Sequence, residues 1–352
     1  LTARVTVIIL NWNGKQFLER CLQSLLTQTF QDFEIVLVDN GSKDGSVSFL
    51  EEHYPQVRLI TNQENQGFAA ANNQAIRATD SEFVATLNND TEVTPNWLGE
   101  LVRAADMADN RIGAYASKML FTYRAGMIQS AGIALDRAGI AWDWRGGEED
   151  DRTEEESVEI FGASAGAALY RRSMLHEIGL FDEAFFAYLE DVDLAWRAQW
   201  AGWKALFVPT ARVLHFHSGT GKEGSYFKNW HLGRNKIWVV AKNYPWPQML
   251  WYLPIVLLYD LASIPYTLIW RGDWGPVLGR LAGLARLSTA WKAHQAECPL
   301  RQISGQQMVA RMAPLVSPWV LWRRYAHLRR EWPKEANRLT NTASCRTRTK
   351  ES

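Results

Sequence analysis

Three acidic stretches in this 352-residue chain sit where chemistry is expected. In the first, the run Ser81–Thr86 rises into Leu87-Asn88-Asn89-Asp90. Asn is common where a chain turns sharply, and an Asp at a strand end points beyond the carboxyl edge of a sheet, where open α/β folds bind ligands. A hard divalent cation, Mg2+ or Mn2+, takes one or two carboxylates there together with phosphate oxygens. Asp90 is therefore a candidate anchor for a metal and a diphosphate, although the same residues also suit an ordinary turn. In the second, Phe33–Val38 stops at Asp39-Asn40-Gly41-Ser42; an acid ending a second strand often meets a ribose hydroxyl. In the third, Glu190, Asp191 and Asp193 fall in the first turn of a helix that runs on through Leu194 and Arg197. Acids are favoured there by the helix dipole, but a carboxylate so placed also suits a general base, provided a substrate proton lies within hydrogen-bond reach. Asp193 is read as a cap or as the ion-pair partner of Arg197, four residues on.

The elements that must position these groups alternate. Val5–Leu10 is a nearly continuous apolar, β-branched run, as in a buried parallel strand. Lys15–Gln28 carries a helical apolar face at Phe17, Leu18, Cys21, Leu22, Leu25 and Leu26. Strands over 33–38, 57–60 and 83–87 follow, with helices over 43–53 and 67–79 between them. This β-α-β-α-β-α-β order predicts a mostly parallel sheet covered by helices. Parallel strands would bring Asn11 and Asn13, which end the first strand, to one edge with Asp39 and Asp90. A helix is expected from Pro95 to Ala105, then short strands and Gly-rich turns over 112–145. Glu148–Glu156 is an acidic run read as a solvated loop. The small-residue stretch Gly162–Tyr170 permits close backbone approach to a ligand. After a strand at 203–209, alternation puts His215 and His217 on one face.

The first turn lacks Gly-x-Gly-x-x-Gly, and no Gly-x-x-x-x-Gly-Lys follows. A nucleotide site without a glycine cradle remains, where a metal would neutralise the diphosphate. Val7–Gly14, Val38–Ser46, Asn65–Asn73 and Leu87–Asp90 resemble, in that order, the successive blocks of family-2 glycosyltransferases, and most closely their rhamnosyltransferase-like branch. The resemblance covers roughly residues 4–245 and implies the GT-A fold. It implies that Asp39 contacts the nucleoside, that Asn11, Asn13, Asn65, Gly67, Asn88 and Asn89 belong to the nucleotide-sugar site, and that Asn88–Asp90 fills the place of the Asp-x-Asp metal motif. Asn88 stands where that motif has its first Asp, which leaves one carboxylate. Glu190-Asp191 resembles the catalytic block; the base is placed on Asp191, with Glu190 binding acceptor or orienting the base. His215 matches a metal or diphosphate ligand, with His217 as alternate, and Arg234 is a candidate partner for the diphosphate.

Charge divides the chain. The formal net charge is zero, but residues 271–352 hold 15 Lys+Arg against 5 Asp+Glu, leaving 23 against 33 before them. Met249–Trp270 is apolar but interrupted by Pro254, Asp260 and Pro265. An interfacial helical hairpin, a true membrane span and a helical cap all fit it, with the hairpin favoured. Tryptophans such as Trp246, Trp251 and Trp274, with Arg323, Arg324, Arg329 and Arg330 behind them, suit an anionic lipid interface rather than nucleic acid. Cys21, Cys298 and Cys345 show no Cys-x-x-Cys spacing, which argues against a disulfide framework or zinc site and fits a reducing cytoplasm. No basic-then-apolar leader is seen, so no signal peptide is expected.

The expectation is an α/β GT-A domain at 1–245, a hydrophobic and basic helical membrane-associating region at 246–335 and a disordered tail at 336–352. The chain would be an inverting enzyme on the inner face of the cell membrane. It would move a sugar, with rhamnose the leading candidate, from a nucleoside-diphosphate sugar to a hydroxyl of a lipid-linked glycan or cell-surface polysaccharide. Two rivals remain. A nucleotidyltransferase would carry a Gly-rich basic loop after the first strand, which Asn11–Gly14 does not supply; a non-catalytic glycan-binding protein would not need the Glu190-Asp191 pair.

Overall fold

The computed structural model describes residues 2–124, 126–150, 156–216, 225–246, 248–265, 268, 272–317 and 319–320. The chain opens with β1 (Val5–Asn11), α1 (Lys15–Leu26), β2 (Phe33–Asp39), α2 (Ser46–His53), β3 (Arg58–Thr61), α3 (Gly67–Arg77) and β4 (Phe83–Asn88). As the alternation predicts, β3, β2, β1 and β4 are adjacent and parallel, with Asn11 level with Asp39. Side chains of β1 alternate between two apolar layers. Val5, Val7 and Ile9 pack toward Leu18, Leu22 and Leu25 of α1, whereas Ile8 faces Ala69, Ala75 and Ile76 of α3. Burial on both faces is why β1 reads as an unbroken apolar run.

The second half departs from a parallel plan. After β5 (Thr91–Val93) and α4 (Trp97–Met107) comes β6 (Ile112–Phe121), a ten-residue strand buried along its whole length where only short strands were expected. Then follow β7 (Ile128–Ser130), the hairpin β8 (Ile133–Leu135) and β9 (Ala141–Asp143), β10 (Val158–Ile160), β11 (Ala167–Arg171), α5 (Arg172–Ile178), α6 (Glu190–Trp200) and β12 (Lys204–His215). Strand β11 lies antiparallel between β4 and β6, so the ten-stranded sheet, ordered β10-β12-β6-β11-β4-β1-β2-β3 with β5 on β12 and β7 on β6, is mixed rather than mostly parallel. Ala167 and Ala168, in the small-residue stretch, pair there with Leu87 and Thr86 of β4. The start of the acidic run is not a solvated loop either. Asp150 is fully buried, 3.0 Å from the buried ammonium of Lys118 and also paired with Arg212. Glu148 pairs with Arg145; residues 151–155 lie outside the described residues.

Helix α7 (Tyr226–Asn243) packs against α6 and is followed by α8 (Gln248–Pro265), α9 (Gly275–Ala285), α10 (Leu287–Glu297) and α11 (Gly305–Arg311). Among the described residues of the expected hairpin segment lies helix α8, with Pro254 and Pro265 inside it. Its mid-run acid is satisfied: Asp260 accepts from Lys236 of α7 at 2.8 Å and from both Nε and Nη2 of Arg280 of α9. Among the described residues no helix is long and apolar enough to cross a membrane. The outer faces of α8 and α9 nevertheless expose Leu250, Trp251, Leu258, Leu261, Leu281 and Leu284. On the inner side, Met249 of α8, Ala290 of α10 and Met308 of α11 share an apolar cluster with Trp196 of α6 and Trp238 of α7. The expected tail at 336–352 lies outside the described residues.

Candidate active site

A cleft of about 770 Å³ opens beyond the carboxyl ends of β1 and β4, within the size range of sites that bury small organic ligands. Asn65, Gly67, Asn88, Asn89, Asp90, Glu190, Asp191 and His215 all line it. Two of the three acids expected around one cleft, Asp90 and Asp191, therefore share it. The third, Asp39, stands behind its rim.

Asp90 and His215 meet although 125 residues separate them. Strand β4 ends at Asn88, and the turn Asn89–Asp90 leads into β5, whose Thr91 pairs with His215 at the end of β12. The Nε2 of His215 lies 2.9 Å from Oδ1 of Asp90, and its Nδ1 lies 2.6 Å from Oε1 of Gln129 on β7. With that amide oxygen as acceptor, Nδ1 carries the proton. Nε2 then presents a lone pair, which is also what the amide of Asn88 approaches at 3.4 Å. A lone pair and a carboxylate oxygen this close need a cation between them, a proton or a metal. An outward imidazole donor held by a bonded second nitrogen is the usual arrangement of a metal-ligating His. The pair fits a cation that also draws oxygens from its ligand; among the described residues no cluster of three or more His, Cys, Asp or Glu forms a self-sufficient metal site.

Glu190 and Asp191 open α6, and the backbone that delivers them is strained. Phe186, Tyr188 and Leu189 all have positive φ, between 64° and 71°, each at a cost of about 1–3 kcal/mol. Interactions from two sides hold this turn. The N–H groups of Phe68 and Ala69, at the start of α3, donate to Phe186 O. From α7, the side-chain amide of Asn235 donates to the carbonyls of Phe185, Ala187 and Tyr188 at 2.7–3.0 Å, and Arg234 donates to those of Ala184 and Phe185. Gly67 is required at this contact: its φ is +86°, and a Cβ there would stand 2.6 Å from Phe186 O.

The two acids differ in their surroundings. Burial, with the charges of Asp191 and Asp193 adding, pushes Glu190 well above the ordinary carboxyl range, and its Oε2 has no hydrogen-bond partner. Burial also raises Asp191, but the N–H groups of Ala165 and Val192 donate to its carboxylate. The arrangement favours a proton on Glu190 and a charge on Asp191. Asp193, one turn deeper, is fully buried and pairs with Arg197 at 2.8 Å, as the four-residue spacing implies. It also pairs with Lys242 of α7, which reaches Asp182 and Glu297 of α10 as well.

The remaining expected residues lie apart from the cleft lining. Asp39 is buried, with Oδ1 accepting from Ser42 N and Oδ2 from the amide of Asn11. Asn11 in turn accepts from Asn89 at 2.7 Å, so it links the β2 edge to the Asp90 turn. Asn13 is exposed, with φ +49°, and its side chain accepts from Lys43 N. Asn40, not singled out by the sequence, binds Asn65 and Gly67 and does line the cleft. Arg234 is a buttress of the 184–185 carbonyls rather than a cleft cation; desolvation on an inward-facing helix side gives it that role. His217 lies outside the described residues.

Several lining residues carried no sequence signal. Lys228, in the first turn of α7, brings a cation to the cleft and stands 5.6 Å from the ring centre of Tyr188. Trp12 stands at the rim on the β1 side, and Trp142 and Asp143 come from β9. The alternating pattern of the 128–143 segment was too short to show which of its side chains face inward.

Comparison with known proteins accords with this geometry. Residues 6–179 match the family description Glycosyl transferase family 2. An N-acetylglucosaminyl-diphospho-decaprenol L-rhamnosyltransferase from two strains of Mycobacterium tuberculosis is 28% identical over 280 residues, covering 72% of this chain and 89% of the relative. The crystal structure of GalNAc-T7 with UDP, GalNAc and Mn2+ aligns with a TM-score of 0.61 at 20% identity, over 88% of this chain and 56% of that protein. At that identity the likeness is one of fold: an α/β, GT-A-like fold with a mixed central sheet. The chain belongs to the family-2 glycosyltransferases and is a nucleotide-sugar-dependent glycosyltransferase.

Proposed function

We propose that the chain transfers L-rhamnose from dTDP-rhamnose, with inversion, to a hydroxyl of a lipid-linked, N-acetylglucosamine-bearing acceptor. The observation that carries this reading is the single cleft shared by the Asp90–His215 pair and the Glu190–Asp191 pair. The choice of sugar and acceptor follows the activity named for the mycobacterial relative. The nucleoside would lie toward Trp12 and Asn40, with Asp39 acting through Asn11 and Ser42. The diphosphate would lie between Asp90, His215 and Lys228, the last taking the place first given to Arg234. Asp90 and His215 would hold a divalent cation, which would supply charge neutralisation for the departing nucleoside diphosphate. Asp191 takes the proton of the acceptor hydroxyl as that oxygen bonds to the anomeric carbon. The bond from that carbon to the diphosphate oxygen breaks in the same displacement. Glu190, kept protonated beside it, orients the base.

The exposed apolar faces of α8 and α9, together with the excess of 15 basic over 5 acidic residues after position 270, support a place on an anionic membrane surface at the inner face, where a lipid-linked acceptor would be met. Replacing Leu250, Trp251, Leu258 and Leu261 together by Ser should release the full chain from phosphatidylglycerol vesicles in a co-sedimentation assay; unchanged sedimentation contradicts that placement. The reaction itself is tested by a donor screen that reads nucleoside-diphosphate release with and without EDTA. Release from dTDP-rhamnose that EDTA abolishes is expected; release from another sugar nucleotide alone, or release indifferent to EDTA, overturns the donor or the metal assignment respectively.

A further inference from the structure

Part of the cleft wall is built by the β8–β9 hairpin, which none of the proposed steps uses. Asp143 ends β9 level with Ile133 of β8, and both line the cleft beside Trp142. The hairpin is fixed on its outer side. Trp144 exchanges backbone bonds with Ala131 and Gly132, its ring packs edge-on to Phe207 of the sheet, and Asp136 at the hairpin turn accepts from Ala138 and Ile140. The inward side chains therefore hang from a rigid support. Asp143 faces Ser130 and lies within the fields of Asp191, Lys228 and His215. Burial, with Asp191 adding, pushes its carboxyl up to about 6, while Ser130, Lys228 and His215 oppose the shift.

Asp143 adds a carboxylate to the cleft that Glu190 and Asp191 line, and its oxygens suit a neutral ring rich in hydroxyls. Carboxylate oxygens accept such hydroxyls in charge-assisted bonds, and an indole face covers the apolar C–H side of a ring while excluding water. We propose that Asp143 and Trp142 form the acceptor-sugar subsite, with Asp143 accepting a hydroxyl of the ring whose neighbouring hydroxyl is delivered to Asp191. This rests on the glycosyl-transfer reading above. It assigns acceptor selection to a hairpin separate from the strand ends that hold the donor.

The test uses the full chain with dTDP-rhamnose and a short-chain N-acetylglucosaminyl-diphospho-prenol as probes. Donor affinity is read by calorimetry and acceptor dependence by saturation of both binding and turnover. D143N keeps the volume while losing the charge, and it should raise the acceptor KM about tenfold, the effect of about 1.4 kcal/mol. W142A should raise it comparably. In both, donor affinity should stay within about twofold of the parent, which also reports an intact fold. An unchanged acceptor KM in both variants, or donor affinity falling in step with it, overturns the subsite. A parent enzyme that binds dTDP-rhamnose but shows no saturable binding of the acceptor overturns it too and leaves the donor reading standing. A parent enzyme that binds no dTDP-rhamnose sinks the proposed function itself.

Discussion

The two walls that bring the reacting groups together are held by different physics. The wall of strand ends, β1, β2 and β4 with the start of α3, is held through side-chain amides: Asn11 to Asp39, Asn89 to Asn11, Asn40 to Asn65. Its backbone is mostly regular, and side-chain amides saturate the carbonyls and amides at the strand ends. The wall that carries Glu190 and Asp191 combines a strained turn with buried ions. Asp193, Arg197, Lys242 and Glu297 lie behind it, drawn from α6, α7 and α10. Amide contacts position a ligand without adding charge to a cleft that must take a diphosphate. Ion pairs can fix a carboxylate-bearing helix against its own strain, but each depends on every partner being present.

That contrast is broken most severely at Lys242. It is almost wholly buried and faces Asp182, Asp193 and Glu297, so Lys242→Ala leaves three carboxylates around Arg197 as their one remaining buried cation among these pairs. A loss of about 3–5 kcal/mol in urea unfolding is expected; a loss under about 1 kcal/mol would show that this wall does not rely on its ions. Asp150→Ala takes a buried carboxylate away from both Lys118 and Arg212, with an effect at the lower end of that range. Asn235→Ala removes three hydrogen bonds from the turn at 185–188, each worth about 1 kcal/mol net. It should cost about 2–3 kcal/mol and lower kcat more than donor affinity, because the turn aims the base. On the amide wall, Asn11→Ala should cost less stability, about 1–2 kcal/mol, and should weaken donor binding instead of kcat. Reversal of those two kinetic signatures would erase the distinction between the walls.

The ions also set a pH signature. Burial works to raise Asp193, but Lys242 and Arg197 and the hydrogen bonds from Asn243 and Arg197 hold it at about 2, below its ordinary 3.8. A depressed carboxyl stabilises the fold fully above the unfolded value and loses that contribution as pH falls through the folded one. Acid unfolding should therefore show a component between about pH 4 and 2 that Asp193→Asn removes. Asp191 shifts the other way. A raised base takes up its proton at a higher pH, so kcat/KM should fall on the acid side from a pH above the ordinary carboxylate range.

The same division explains what the sequence reveals. Strand ends, their helices and the order of the four N-terminal blocks are local patterns, and β1–β4 follow them closely. The Asp193–Arg197 pair is legible because one helical turn sets it. Arg234 is misread as a cleft cation because its partners, the carbonyls at 184 and 185, lie about 50 residues away. Asp150 is misread as solvated because its cation is 32 residues upstream on a strand. The reversal of β11 is invisible because strand direction depends on the path of the intervening chain, not on composition. Asp143 and Trp142 belong to a three-residue strand, too short for periodicity to show a face.

The central claim is that Asp191 is the base acting in a cleft that also holds the donor. Its direct test is nucleoside-diphosphate release and acceptor glycosylation by the Asp191→Asn variant, measured beside its affinity for the donor. Transfer should fall by a factor of about 10²–10⁴ with donor affinity retained; turnover equal to that of the parent protein contradicts the account.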